Sequence, residues 1–327
     1  MNRKRKLLIF GMLLALVVLL MPACTPAAPA PEHVTLKLMT GTPGGSWYPL
    51  SIALAAVWET NSPGLSFTQI PGGGGPNLQG VALGKADMGI TTTIAVGDAQ
   101  LGQPPFDDQE YTEFKGMARF LADVWNIIVF ADSDIYTLED LKGKRFCALK
   151  KGWTGNVMAS RQLEAVGLSF DDMAKVEFVS GPEALKLMKD GHLDATIIGF
   201  DMVGDPQLVE LGVFKPMRIL PIPDDIAAKL QAQNPGIFKC VIPKGSYKGV
   251  DEDVPGVLGG TGLVVNPTIS EDLVYKMTRA MAENWVSHIH PVLPDLKKVQ
   301  PQDLPSPMGV DLHPGALKYY REVGWIK

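Results

Sequence analysis

Apolar and polar side chains alternate from residue 34 to 39, with Val34, Leu36 and Leu38 set against Thr35 and Lys37. A period of two predicts a strand with one buried face. A loop of small residues from Gly41 to Ser46 follows, then an apolar stretch over 47–59 that predicts a helix, stopped by Asn61, Ser62, Pro63 and Gly64. Residues 65–70 predict a second strand running into Pro71 and four glycines. A short helix is expected over 77–83 and a third strand over 86–91. Strand, helix, strand, helix, strand implies a parallel sheet with right-handed crossovers.

The rhythm returns further on. Residues 125–131 form a β-rich run, and 144–149 a strand that ends in Lys150, Lys151, Gly152, Trp153, Thr154 and Gly155. A helix over 156–166 stops at Gly167. After a strand at 176–179, Ser180 and Glu183 read as a capping box with Pro182 in the first turn, opening a helix to Asp190 and a strand at 195–199. Each unit closes on a short strand after Gly84-Lys85-Ala86-Asp87 or Gly191-His192-Leu193-Asp194. Two lobes of similar construction are therefore expected, not a solenoid. The last third predicts strands at 217–220, 238–241 and 262–265, a helix over 271–289 with Leu273, Met277 and Met281 on one stripe, and a helix near 317–323. The pattern thus predicts an α/β chain of two lobes, each a mostly parallel sheet flanked by helices. The first takes 33–122 with 243–327, and the second 123–242.

The N-terminal pattern differs. Arg3, Lys4, Arg5 and Lys6 precede an apolar run over 7–20, closed by Pro22, Ala23 and Cys24. At about 14 residues the run is short of the roughly 20 that span a bilayer, so a secretory signal peptide over 1–23 is expected rather than an anchor helix. Cys24 followed by a Pro/Ala-rich stretch to Pro31 resembles a bacterial lipoprotein maturation site. Residues 24–32 would be an extended tether to a lipid anchor on Cys24, and the alternative is simple cleavage to a soluble product. Either way the chain is expected to be exported to the periplasm or outer cell surface.

Composition narrows the partners. The net charge is −5, and four of the 30 basic residues but none of the 35 acidic ones precede Cys24. Such a balance argues against nucleic acid, whose binders present a basic face, and an anionic solute would have to be held by local donors. The 46% hydrophobic and 20% charged content suits a globular protein with buried sheets. Cys147 and Cys240 either pair or remain separate thiols. No Cys/His cluster suggests a metal, and no cofactor is expected.

Ligands of open α/β sheets sit at the carboxyl ends of strands, where loops feed helix starts. Two such loops carry similar residues: Gly45, Ser46, Trp47 and Tyr48 in the first unit, and Trp153, Thr154 and Asn156 with Gly152 and Gly155 in the second. Glycine lets backbone amides approach a ligand, and helix starts carry partial positive charge. The alternative is plain capping by Ser46 and Thr154. The glycine run before Asn77 is either a flexible turn or bare backbone at the ligand; it lacks the third glycine of a dinucleotide fingerprint, and no Walker lysine follows. Thr92 ends the third strand, Trp125 and Asn126 sit where the chain crosses between lobes, and Asp201 either accepts from a ligand amine or caps the helix near Gly204. The five histidines, His33, His192, His288, His290 and His313, stand beside no nucleophile motif. The chain is not expected to be an enzyme.

Several motifs in order carry a resemblance. Thr40 through Tyr48 to Leu50, Gly84 to Ile90, Leu138 to Arg145, Gly191 to Ala195, Ile242 to Tyr247, Glu271 to Tyr275, and Leu312 to Tyr320 together resemble the TAXI family of TRAP-transporter solute receptors. That resemblance implies a type II-like periplasmic-binding-protein fold with a hinged cleft, no catalysis, and TRAP membrane subunits driven by an ion gradient as partners. Ligands known in the family are glutamate, glutamine and 2-oxoglutarate. This chain departs at Pro76 and Trp153, which imply a stiffer and more aromatic cleft. The expected function is capture of a small organic acid or amino acid between the lobes and delivery to the transporter. An ABC-importer receptor or a sensory lipoprotein of the same fold is the alternative.

Overall fold

The computed structural model describes residues 33–327. The expected signal peptide, tether and lipid-bearing Cys24 lie outside the described residues. Two sheets organise the rest. The first is built from β1 (Val34–Thr40), β2 (Leu65–Pro71), β3 (Met88–Thr92), β4 (Lys115–Val124), β10 (Ile237–Ile242) and β11 (Val254–Val265). β1 lies parallel between β2 and β3, as the alternating pattern predicts. β11 is long enough to take β10 and β3 end to end along one edge and β4 along the other, all antiparallel.

Helices cover both faces of this sheet. α1 (Trp47–Asn61), α8 (Glu271–Glu283) and α9 (Pro314–Glu322) enclose a core containing Leu38, Leu54, Trp58, Phe120, Met277, Trp285 and Tyr320. α2 (Gly74–Ala82) and α3 (Thr93–Gln100) cover the opposite face around Leu78, Val81, Val96 and Phe114. The second sheet runs β7 (Lys175–Glu177), β6 (Arg145–Cys147), β8 (Ala195–Ile197), β5 (Ile127–Phe130), β9 (Met217–Ile219). α4 (Thr154–Ala165), α5 (Gly181–Lys189), α6 (Pro206–Phe214) and α7 (Asp224–Gln233) accompany it around a core with Ile128, Phe146, Met158, Leu185 and Leu211. β10 belongs to the first sheet by hydrogen bonding, while Ile237 and Ile242 pack into this second core. Cys147 and Cys240 are free thiols.

Several elements depart from the expected pattern for identifiable reasons. β4 was not anticipated because its side chains are buried on both faces, which erases alternation. β11 was anticipated only over its last four residues, since glycines interrupt it. A Cβ at Gly256 would stand 2.5 Å from Asn126 Oδ1, so the close approach itself requires glycine. α2 begins at Gly74 rather than Asn77, taking two glycines into its first turn. The long terminal helix stops at Glu283, and a π-helical turn over Trp285–Ile289 follows. Its buried stripe runs through Val274, Met277 and Met281, with Leu273 only half-buried. Ser180 makes no side-chain cap, so the expected capping box does not form. The cap of α6 is Asp205, which accepts from the amides of Gln207 at 2.9 Å and Leu208 at 3.2 Å; Asp201 does not cap it.

The chain crosses between the sheets just after β4. Val124 and Phe200 exchange backbone hydrogen bonds of 2.9 and 3.2 Å, and the Trp125 amide donates to Val257 O at 2.9 Å. Asn126 ties this crossing together. Its Nδ2 donates to Leu220 O at 2.8 Å and Pro255 O at 3.2 Å, and its Oδ1 accepts from the Val257 amide at 3.2 Å. The residue is fully buried. Asn126→Ala removes the partner of the buried Leu220 carbonyl and Val257 amide, whereas Pro255 O keeps the Ile222 amide, and unfolding in urea is expected to show a loss of about 2–4 kcal/mol.

Candidate ligand-binding cavity

A cavity of about 100 Å³ lies between the two sheets, at the carboxyl ends of strands from both. Gly45, Ser46 and Trp47 reach it from the β1–α1 loop, and Gly72, Gly73 and Gly74 from the β2–α2 loop. Trp153, Thr154 and Gly155 enter from the start of α4, and Gly181 and Pro182 from the start of α5. Asp123 and Trp125, at the crossing, form part of the wall with Leu149, Ile198, Gly199 and Gln207.

Six of the residues anticipated from sequence therefore meet here: Gly45, Ser46, Trp47, Trp125, Trp153 and Thr154. Tyr48 lies one residue deeper in α1, away from the lining. Thr92 stands behind Thr154, the two hydroxyls 3.3 Å apart, and caps α3 by accepting from the Ala95 amide at 3.0 Å. Asn77 holds the ends of β1 and β3, donating to Thr40 O at 3.1 Å and Ile90 O at 2.7 Å. Asn126 serves the crossing, and Asn156 donates to Ala148 O at 3.3 Å. Asp201 is buried outside the lining with neither carboxylate oxygen hydrogen-bonded. Sequence reasoning missed Asp123, which ends the unrecognised β4, and Gln207. It also gave Gly181 and Pro182 to a capping box.

The polar character of the cavity comes from main chain. α1, α2, α4 and α5 all begin at it, and none has a side-chain cap. Elsewhere α3, α6, α8 and α9 are capped by Thr92, Asp205, Ser270 and His313, while α7, away from the cavity, follows Pro223 without a side-chain cap. The alternative of plain capping by Ser46 and Thr154 therefore does not hold. The first amides of an uncapped helix have no intrahelical acceptor and carry partial positive charge. Those of Gly74, Gly75, Thr154 and Gly155 have no hydrogen-bond acceptor among the described residues. Several such starts facing one space favour an anion without any basic side chain.

Glycine also lets the lobes touch. A Cβ at Gly73 would stand 2.6 Å from the Trp153 ring, one at Gly75 2.6 Å from Gly152 O, and one at Gly74 would collide with Thr154 Oγ1. Further out, Arg161 on α4 and Asp98 on α3 form a buried ion pair of 2.6 Å across the lobes. Asn234 adds a hydrogen bond of 2.6 Å to Asp98. The cleft is thus closed.

Acids crowd the crossing. Asp123 accepts from Thr261 Oγ1 at 2.5 Å, yet burial first, with Asp205 and Asp295 nearby, pushes its carboxyl up to about 7. Burial, reinforced by Asp123, Asp205 and Asp295, pushes Asp201 up to about 8. Of the other buried polar atoms without partners, Trp125 Nε1 and Gln207 Oε1 belong to residues that line the cavity.

A family model described as the NMT1-like family matches residues 38–324 of the chain. Among solved structures, a protein of Bordetella bronchiseptica is similar with a TM-score of 0.50 and 17% identity, over 88% of this chain and 82% of its own. An alkanesulfonate-binding protein of Xanthomonas axonopodis pv. citri, bound to MOPS, gives 0.49 and 16%, over 88% and 83%. An ancestral arginine-binding protein bound to arginine gives 0.45 and 17%, over 81% and 97%. Likeness at such identity concerns the fold alone, a two-lobed α/β arrangement.

Asp201 offers a direct test of the buried acids. Its folded-state pKa is raised above the unfolded value, so its contribution is intact at low pH and is lost as pH rises toward about 8. Asp201→Asn should flatten part of that decline. Urea unfolding is expected to find the variant more stable than the parent at pH 8, by on the order of 1–3 kcal/mol, with little difference at pH 4.

Proposed function

Because this chain belongs to the NMT1-like family, its model covering residues 38–324, we propose that it is an extracytoplasmic receptor for a small organic acid. The lobes, 33–122 with 243–327 and 123–242, close on the solute and present it to a membrane transporter. The observation that carries this reading is the convergence of four uncapped helix starts on one cavity. These starts supply donors for a carboxylate or similar anion, while Trp47, Trp125 and Trp153 pack against its carbon skeleton. About 100 Å³ accommodates a solute of on the order of ten non-hydrogen atoms. Gly45, Ser46, Trp47, Trp125, Trp153 and Thr154 are the proposed contacts.

A ligand can shift the open–closed balance only by its extra contacts in one state. Here those contacts come from both lobes at once, the α1 and α2 starts on one side and the α4 and α5 starts on the other. Export on a signal peptide and tethering through a lipid on Cys24 would keep the receptor near its transporter. The ordered motifs shared with TAXI receptors support a TRAP-type partner. Uptake into vesicles that requires an ion gradient supports that partner, and uptake that requires ATP assigns an ABC importer instead.

Gly74→Val tests the closure itself, since any side chain there strikes Thr154. Titration calorimetry of the purified receptor against small carboxylates and sulfonates should find a ligand that the variant binds about 100-fold more weakly, with X-ray scattering reporting a persistently open molecule. Equal affinity in the two proteins, or no acid bound by the parent, sinks the reading.

A further inference from the structure

The cavity that is lined with anion-attracting helix starts also contains a carboxylate. Asp123 is 2% exposed and stands in the cavity wall. Its protein hydrogen-bond partner is a donor, the Thr261 hydroxyl at 2.5 Å. Two carboxylate oxygens have room for about four such bonds, so acceptor capacity remains. Gln207 Oε1, also in the wall, is a second buried acceptor without a partner. No Lys, Arg or His lines the cavity among the described residues. A solute carrying only negative charge would meet Asp123 as a like charge in a desolvated space, which disfavours binding.

We infer that Asp123 and Gln207 form a subsite for a protonated amine, so that the solute is a zwitterion whose acid group lies at the helix starts. This rests on the proposed function and deepens it. The acid end is a carboxylate or a sulfonate, since uncapped amides serve both; the amine end is what Asp123 selects. A zwitterion also resolves the juxtaposition of opposite requirements in one small space. Its anionic group pairs with the donors of α2 and α4, and its cationic group neutralises the one carboxylate of the lining.

The charged groups that face Asp123 from neighbouring elements are Asp205 at the cap of α6, Asp295 of the turn over Asp295–Lys298, and Asp201. All are acids, and the Lys298 ammonium is 2.6 Å from Asp295. The wall around Asp123 therefore presents acidic groups to an ammonium. Capture of the amine requires Asp123 ionised, so below about 7 it must release a proton on binding.

Matched probes test this with the full-length mature chain. Calorimetry compares 4-aminobutyrate with butyrate, L-glutamate with glutarate, and taurine with ethanesulfonate, at pH 6 and pH 8. In at least one pair the aminated member should bind about 30-fold more tightly at pH 8, and its advantage should shrink about tenfold at pH 6. Whether the preferred pair is carboxylate or sulfonate identifies the acid end. Asp123→Asn keeps an acceptor for Thr261 and should abolish the preference for the amine at pH 8, weakening the aminated member and, with the like charge gone, tightening the deaminated one. Gln207→Leu should reduce the preference about tenfold without requiring a change at Asp123. Equal or tighter binding of the deaminated members overturns the amine subsite and leaves the acid receptor standing. A uniform loss for both members in Asp123→Asn also overturns it, because that assigns the residue a structural role. Failure of all six probes to bind removes the acid receptor reading itself, and the subsite with it.

Discussion

Four helix starts without side-chain caps, with acceptor-less amides at two of them, set the terms for the rest of the molecule. A helix start buried without a cap is costly unless something outside the helix supplies the acceptor. α1, α2, α4 and α5 share that deficit at one place, whereas Thr92, Asp205, Ser270 and His313 relieve it at α3, α6, α8 and α9, and only α7 among the other described α-helices lacks a cap. The loops that feed these starts are built from glycine, serine and threonine, which keep bulky side chains out of the donors' way. Tryptophan supplies the walls. An acidic chain can thereby hold an acid, because the local donors are fixed dipoles that the net charge of −5 does not reach in a desolvated space.

The same arrangement demands that the lobes meet closely and still separate. The glycines from Gly73 to Gly75 abut Trp153, Thr154 and Gly152 with no space for a Cβ. At the other side of the cleft the crossing is held by backbone bonds around Asn126. The buried acids sit at this crossing. Asp201 in particular has no hydrogen-bond partner for either carboxylate oxygen, and its burial beside other acids raises its pKa to about 8, so its ionisation opposes folding at neutral pH.

How much of this was legible in sequence depended on whether the signal was local. β1, β2 and β3 were readable because each alternates or ends at a turn. β4 was not, because burial on both faces leaves a nearly continuous apolar run broken by Arg119 and Asp123. The loops with Trp47 and Trp153 stood out by composition, and both reach the cavity. Asp123 did not stand out, since an acid at the end of an unrecognised strand has no distinguishing pattern; its meaning comes from Thr261, 138 residues away, and from the cavity. Asn77 and Asn126 were placed at the ligand because polar residues beside glycine and tryptophan suggest recognition. In the fold they satisfy backbone groups instead, which depends on contacts that no local window contains.

The ion pair of Arg161 with Asp98 shows why the ligand can decide between states. Joining α4 to α3 at 2.6 Å with both side chains buried, it exists only while the lobes are together. Buried pairs of this kind contribute little net stability, because desolvation offsets most of the attraction. Opening returns both charges to water, so neither state gains decisively. Asn234 and Gln103 add hydrogen bonds to the pair and fix its geometry, which makes the closed alignment specific without making it strongly favoured. A nearly balanced equilibrium is what a receptor of this construction requires. The few contacts that a small solute makes with donors from both lobes then suffice to shift it.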